Sequence, residues 1–354
     1  MNRRTRHSLF ASLLISISLA AAASSTPPTA REYSTIDFGI RPLAFPSAIY
    51  AEPVQRDRIL REELAKRGWN LKQHTFLAGS DLHAQLRSGL LEAAIVGDVP
   101  TVQALAGGEF IAVAITKHGF ATVITRKVGT LTALRGKKIG NVAGTSAHYV
   151  LHEALASAGL GEQDVELVEM PMSEMLPALV SGKIDACAIW EPFATLARRN
   201  YPQFGFAYRG LSNDYLLIKR SLAEREPELV RHLVAAVLRA HLWLKKHPAN
   251  LEKAATNSLD AARPLAGGTF PLSRAELIRI ARQDALQVSG LPRLPQSEDI
   301  PAARLAKRLD FLKKTGKQDE PVSWQSISGS FAPQALETVM RDTQRYRIRE
   351  HDYD

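Results

Sequence analysis

Thr145 and Ser146 stand in the run Ala143-Gly144-Thr145-Ser146, between a short apolar segment and a stretch with helical spacing. A hydroxyl at such a junction caps the first turn. The free N–H groups and the positive end of the helix dipole then suit an oxyanion. Ordinary capping uses the same residue types, so the pair marks a helix start first and an anion site second. Asp98, in Gly97-Asp98-Val99-Pro100, and Glu191, in Trp190-Glu191-Pro192-Phe193, each precede a helix. A carboxylate there caps N–H groups. Turned into a cleft, it would instead repel a bare oxyanion and pair with an ammonium group. His148 and His152 are four apart on one helix, a spacing able to ligate metal, but third and fourth partners are missing and no metal is expected. His148, near the helix start, can donate to an oxyanion. Phe45 and Ser47 follow the first strand, Ser80 precedes another helix and Trp190 follows a strand, so all four are candidate ligand contacts.

These residues need strand-to-helix loops to hold them. Lys137 to Val142 reads as a strand and Ser146 to Ser157 as a helix with Val150, Leu151, Ala154 and Leu155 on one face. Val165 to Val168, Ser173 to Val180 and Ile184 to Ile189 continue as strand, helix and strand, and Pro192 opens a further helix. The same order appears earlier: strand Thr35 to Ile40, helix Ala51 to Lys66, strand Leu71 to Phe76, helix Asp81 to Arg87, strand Glu92 to Val96, a helix through Ala106, and strand Phe110 to Thr116. Alternation of this kind is an α/β pattern, in which ligands bind beyond the carboxyl ends of the strands. SGLLEAAIVGDVP at 88 to 100 parallels SGKIDACAIWEPF at 181 to 193, which predicts two pseudo-symmetric halves.

Three segments carry a specific resemblance: AAIVGDVPTVQALAGGEFIAVA at 93 to 114, GKKIGNVAGTSAHYVLHEALASAGL at 136 to 160 and LVSGKIDACAIWEPF at 179 to 193. In order and spacing the chain resembles the aliphatic-sulfonate, taurine and nitrate family of periplasmic solute-binding proteins of ABC importers, over about residues 34 to 250. The resemblance implies a type II periplasmic-binding-protein fold, two α/β lobes around a ligand cleft, followed by a helix-rich C-terminal region. It implies a small anionic or zwitterionic solute, an aliphatic sulfonate or taurine ahead of a nitrate-type anion, with an inner-membrane permease as partner. No cofactor and no catalysis belong to that role. The ligand contacts expected are Phe45, Ser47, Ser80, Asp98, Thr145, Ser146, His148, Trp190 and Glu191. The alternatives are an enzyme on the same fold, desulfinase-like or pyrimidine-precursor synthase-like, and a ligand sensor for a membrane receptor.

The division expected is lobe one at 34 to 117 plus 214 to 320, lobe two at 120 to 210, and a final helix and tail at 321 to 354, with crossings at His118-Gly119 and Leu211-Ser212-Asn213 acting as a hinge. Helices are expected at Pro227 to Lys246, Arg274 to Leu286, Ile300 to Lys314 and Pro333 to Tyr346, and a mobile charged tail from Arg347. Arg3, Arg4 and Arg6 before the apolar run Leu9 to Leu19, with Ala21-Ala22-Ala23 after it, predict a cleavable signal peptide over residues 1 to 23 and a periplasmic location. Cys187 is the only cysteine, which excludes an intramolecular disulfide; mid-strand, it reads as a small buried hydrophobe. The formal charge of +9 falls to +6 without the three signal arginines, a balance that favours anionic solutes. Its basic residues are scattered along helices rather than clustered, so nucleic acid is not an expected partner, and a monomer is.

Overall fold

Buried apolar runs alternate with amphipathic ones, and in the computed structural model they become strands and helices in the expected order. The structure describes residues 33–353 apart from 43, 46, 77–78, 128, 267–271, 285–299 and 318–321. The predicted signal peptide lies outside the described residues. The chain begins β1 (Ser34–Ile40), α1 (Ser47–Arg56), α2 (Arg58–Lys66), β2 (Trp69–Thr75), α3 (Gly79–Arg87), β3 (Ala93–Gly97), α4 (Asp98–Ala106) and the 16-residue β4 (Phe110–Thr125). It continues β5 (Lys138–Asn141), α5 (Ser146–Ser157), β6 (Glu166–Glu169), α6 (Met172–Ser181), β7 (Ala186–Trp190), α7 (Phe193–Asn200) and the 15-residue β8 (Gly205–Lys219). Helices follow: α8 (Arg220–Arg225), α9 (Pro227–Lys246), α10 (Pro248–Ala262), α11 (Arg274–Asp284), α12 (Ile300–Lys314), α13 (Trp324–Ser328) and α14 (Gln334–Arg341). Among the described residues no helix is long and apolar enough to cross a membrane.

One sheet runs β2-β1-β3-β8-β4-β7-β5-β6. Its two halves share a plan. In half one the parallel trio β2-β1-β3 meets β8 antiparallel; in half two the parallel trio β6-β5-β7 meets β4 antiparallel. The matched segments at 88 to 100 and 181 to 193 therefore occupy equivalent places, as their sequences predict. β4 and β8 pair with each other from Phe110↔Lys219 to Thr125↔Gly205, passing between the halves at His118↔Asn213 and Gly119↔Ser212. The expected break after Thr116 is thus a continuous strand, because extended backbone at 117 to 119 keeps its partners on β8. Register shifts at Ala112/Ala114, Ile115/Lys117 and Val123/Ile124 supply local bends instead. Gly97 pairs with Asp214 and Trp190 with Ala121, so the carboxyl ends of β3 and β7 converge on the crossing from opposite sides.

Alternate residues of β3 enter different cores, as strand geometry requires. Ala93 and Ile95 face a core that seats α2, α9 and α14, including Leu60, Leu233 and Val339. Ala94 and Val96 face one that seats α3, α4 and α12, including Leu82, Val102 and Leu309. The third core lies in half two, under α5, α6 and α7, and also takes in Ile49 of α1, Leu251 of α10 and Leu277 of α11. C-terminal helices therefore pack against both halves.

Three local expectations change. The helix expected from Ala51 to Lys66 is two helices: Asp57 interrupts it, accepting from Leu60 N at 3.1 Å and from Arg239 Nε at 2.7 Å, both side chains buried. The helix expected to reach Tyr346 stops at Arg341. The tail expected to be mobile is docked. Tyr346 and Ile348 are buried, Arg58 N donates to Asp352 O at 3.0 Å, and the Tyr353 ring lies 4.6 Å from that of Trp243.

Candidate functional site

Between the end of β1, α1, β3 and β8, at the crossing, lies a cavity of about 10 Å³, room for roughly one water. Arg41 follows β1 directly. It lines that cavity with Ser47, Asp214 and apolar Ile40, Ala44, Ala48, Ala51 and Ile95. Its guanidinium carbon lies 5.9 Å from the ring centroid of Trp190, which arrives from the other half. Close packing also holds Gly79 there, since a Cβ at that position would lie 3.3 Å from an Arg41 nitrogen. Burial pulls the Arg41 guanidinium below its ordinary pKa, opposed by the Asp214 carboxylate. Among the described residues no hydrogen bond satisfies it.

Asp214 is nearly sequestered by its neighbours. Ser47 Oγ donates to its Oδ2, and Lys117 Nζ lies 3.4 Å from the same oxygen, with Lys117 and Asp214 facing each other across β4 and β8. Arg41 and Lys117 against the single Asp214 leave one net positive charge, which suits a monoanionic head group.

On the half-two side, Thr145 caps α5 as expected. Its Oγ1 accepts from His148 N at 3.3 Å and donates to Val142 O at 2.7 Å, so this hydroxyl is committed to the fold. Ser146 differs: it is buried, no hydrogen bond engages its Oγ among the described residues, and it faces Gly97 so closely that a Cβ there would lie 2.7 Å away. A free hydroxyl and the N–H groups of a helix start thus lie against Gly97, the strand partner of Asp214. Asn141, the last residue of β5, is buried with Oδ1 unpartnered and adds a polar group at this rim.

The other expected contacts fall elsewhere. Phe45 is 2% exposed, belongs to the core that α1 shares with half two, and does not line the cavity. Ser80 sits in the first turn of α3; its side chain lies outside the described residues. Asp98 is already paired: its Oδ2 accepts from Arg308 Nε at 2.8 Å and its Oδ1 from Val99 N at 2.9 Å. Glu191 accepts from Thr195 N at 3.0 Å, a cap on α7. Pro192 precedes that helix rather than opening it, and α7 begins at Phe193. His148 accepts from Gly144 N at 3.2 Å through Nδ1, while its Nε2 lies 3.3 Å from Glu162 Oε1 without hydrogen-bond geometry. His152 Nδ1 is also 3.3 Å from that oxygen. Among the described residues no group of three such side chains could hold a metal.

Sequence reasoning missed Arg41, Asp214 and Lys117. Arg41 has a legible signal, a cation placed directly after a strand that ends at the ligand rim. Lys117 and Asp214 have none, because only the β4–β8 register brings them together.

Residues 80–251 match the NMT1/THI5-like family model. A protein of Brucella abortus (strain 2308), named as a binding protein without a stated ligand, is 25% identical over 247 residues, 62% of this chain and 73% of its own length. The taurine-binding periplasmic protein of Escherichia coli K12 is 23% identical over 227 residues, 59% of this chain and 69% of its own length. Among solved structures, the periplasmic aliphatic sulphonate-binding protein of Escherichia coli shares the fold, with a TM-score of 0.64 at 16% identity over 83% of this chain and 91% of that one. The desulfurization enzyme DSZB shares it too, with a TM-score of 0.55 at 18% identity over 88% of this chain and 100% of that one. The chain is thus similar to the NMT1/THI5-like family over residues 80–251 and shares the α/β fold of the periplasmic aliphatic sulphonate-binding protein.

Proposed function

We propose that this protein is the periplasmic solute-binding component of an ABC importer, a monomer that captures a small organic anion, an aliphatic sulfonate or taurine ahead of a nitrate-type anion. The observation that carries this is Arg41, a half-buried guanidinium with no hydrogen-bond partner among the described residues, which shares a cavity with Asp214, whose strand partner Gly97 packs against the free hydroxyl of Ser146 at the start of α5. The names of its relatives and the net positive charge support it. In this reading residues 34–117 with 214–320 and residues 120–210 are lobes that part and close about the crossing, and residues 1–23 direct export. Solute works through its higher affinity for the closed state, which a permease in the inner membrane then engages.

An enzyme on the same fold is the second reading, prompted by the desulfurization enzyme among the structural neighbours. Against it, Cys187 is fully buried in β7 and burial pushes its thiol up to about 12, so it offers no nucleophile.

A thermal-shift screen of alkylsulfonates, taurine, nitrate, sulfate esters and pyrimidines tests the proposal. A true solute at 100 times its Kd adds about 2.7 kcal/mol of stability. Arg41→Gln should abolish the shift while the protein stays folded. A wild-type protein that responds to no anion in the set overturns the reading.

A further inference from the structure

The apolar stripe of α12 touches both halves of the cleft. Leu305, Leu309 and Leu312 enter the core beneath α4 in half one. Between the last two, Phe311 sets its ring edge-on to His148 at 4.8 Å and to Tyr149 at 5.4 Å, both on α5 in half two. Arg308 lies within the same stripe, its side chain 3% exposed, and joins three elements with one guanidinium. Nε donates to Asp98 at the start of α4; Nη2 donates at 3.2 Å to Leu211 O, on β8 within the crossing; and the guanidinium carbon stands 3.9 Å over the Tyr149 ring. Asp98 adjoins Gly97, and Tyr149 is one turn on from Ser146, so Arg308 ties together the two backbones that meet across the cleft.

We infer that α12 is a strap and Arg308 its positioning residue, holding α4 and α5 in the closed arrangement before any solute arrives. The inference rests on reading the two halves as lobes that part. Parting them must break the Tyr149 stack or the bonds to Asp98 and Leu211, because all three partners converge on one planar, rigid fork. Solute that binds only the closed state gains apparent affinity in proportion to the closed fraction, so a strap raises affinity without touching the solute.

Small-angle scattering on the full chain, without and with saturating ethanesulfonate, tests this. The wild type should keep nearly the same radius of gyration in both conditions. Arg308→Lys retains the charge beside Asp98 but loses the fork, and Phe311→Ala leaves the ion pair intact while releasing α5. Both should expand without ethanesulfonate, contract with it, and bind it about tenfold more weakly if the closed fraction falls tenfold. Val339→Ala, in the core under α9 and α14, removes comparable packing far from the cleft and should leave the radius unchanged. Ligand-free radii of both α12 variants equal to that of the wild type would overturn the strap. Failure of ethanesulfonate to bind any form counts against the functional reading, and the ligand-free radii still decide the strap.

Discussion

The turns after β3 and β7 occupy mirrored places in the sheet and use their carboxylates differently. Asp98 is buried against Arg308, whereas half-buried Glu191 caps the helix that follows it. The sheet is built twice and can be symmetric; α12 is present once, covers the start of α4, and so cannot be. The helix after β7 instead meets α11, through the ion pair of Arg199 with Glu276. Pseudo-symmetry therefore predicts where a residue sits and fails to predict what covers it.

Stability tests this contrast most strongly. Asp98→Ala leaves the Arg308 guanidinium buried without its counter-ion and should destabilise the protein by about 3 to 5 kcal/mol in urea unfolding. Glu191→Ala removes a cap and should lose only about 1 kcal/mol. Equal losses would break the contrast.

Acid sharpens it from the half-two side. Burial would raise the Glu162 carboxyl, but His148 and His152 outweigh it and hold the group down to about 2, against an ordinary 4.5. A depressed carboxyl contributes its full stabilisation above about pH 4.5 and loses it as pH falls towards about 2. Allowing for partial exposure, the wild type should lose about 2 kcal/mol across that window beyond what Glu162→Gln loses. Parallel pH profiles of the two proteins would remove Glu162 from the account.

The smallest effect concerns solute charge. With Asp98 and Glu191 both engaged, no carboxylate of the mirrored pair is left to greet an ammonium group, so taurine should bind no more tightly than ethanesulfonate by calorimetry. Glu191→Gln should alter neither affinity. A taurine preference that this substitution erases would return Glu191 to the cleft.

Much of the fold was legible because local pattern and tertiary environment agree. The ends of α5, α9 and α12 fall where their apolar spacing places them, and β3 and β7 lie within two residues of their predicted bounds. The site was less legible. Thr145 and Ser146 look alike in sequence, and only the approach of Gly97 separates the capping hydroxyl from the free one. Arg308 reads as one more cation on a basic helix, yet it stands three after Leu305 and four before Leu312, inside the stripe that faces the core. Arginine on that face signals a buried partner. The docked tail has a similar cue in Tyr346, Ile348 and Tyr353, apolar residues that its charged composition obscures.

The double passage of the chain also orders its assembly. Residues 126 to 204 form one uninterrupted excursion, whose strands β5, β6 and β7 find partners within the excursion or on the end of β4 just before it. β3 has no such luxury: among the described residues its neighbour other than β1 is β8, which begins at Gly205. Half one is begun first along the polypeptide and cannot be finished until half two has been spelled out in full. Loop closure over that distance makes the β3–β8 ladder the high-contact-order step of the sheet.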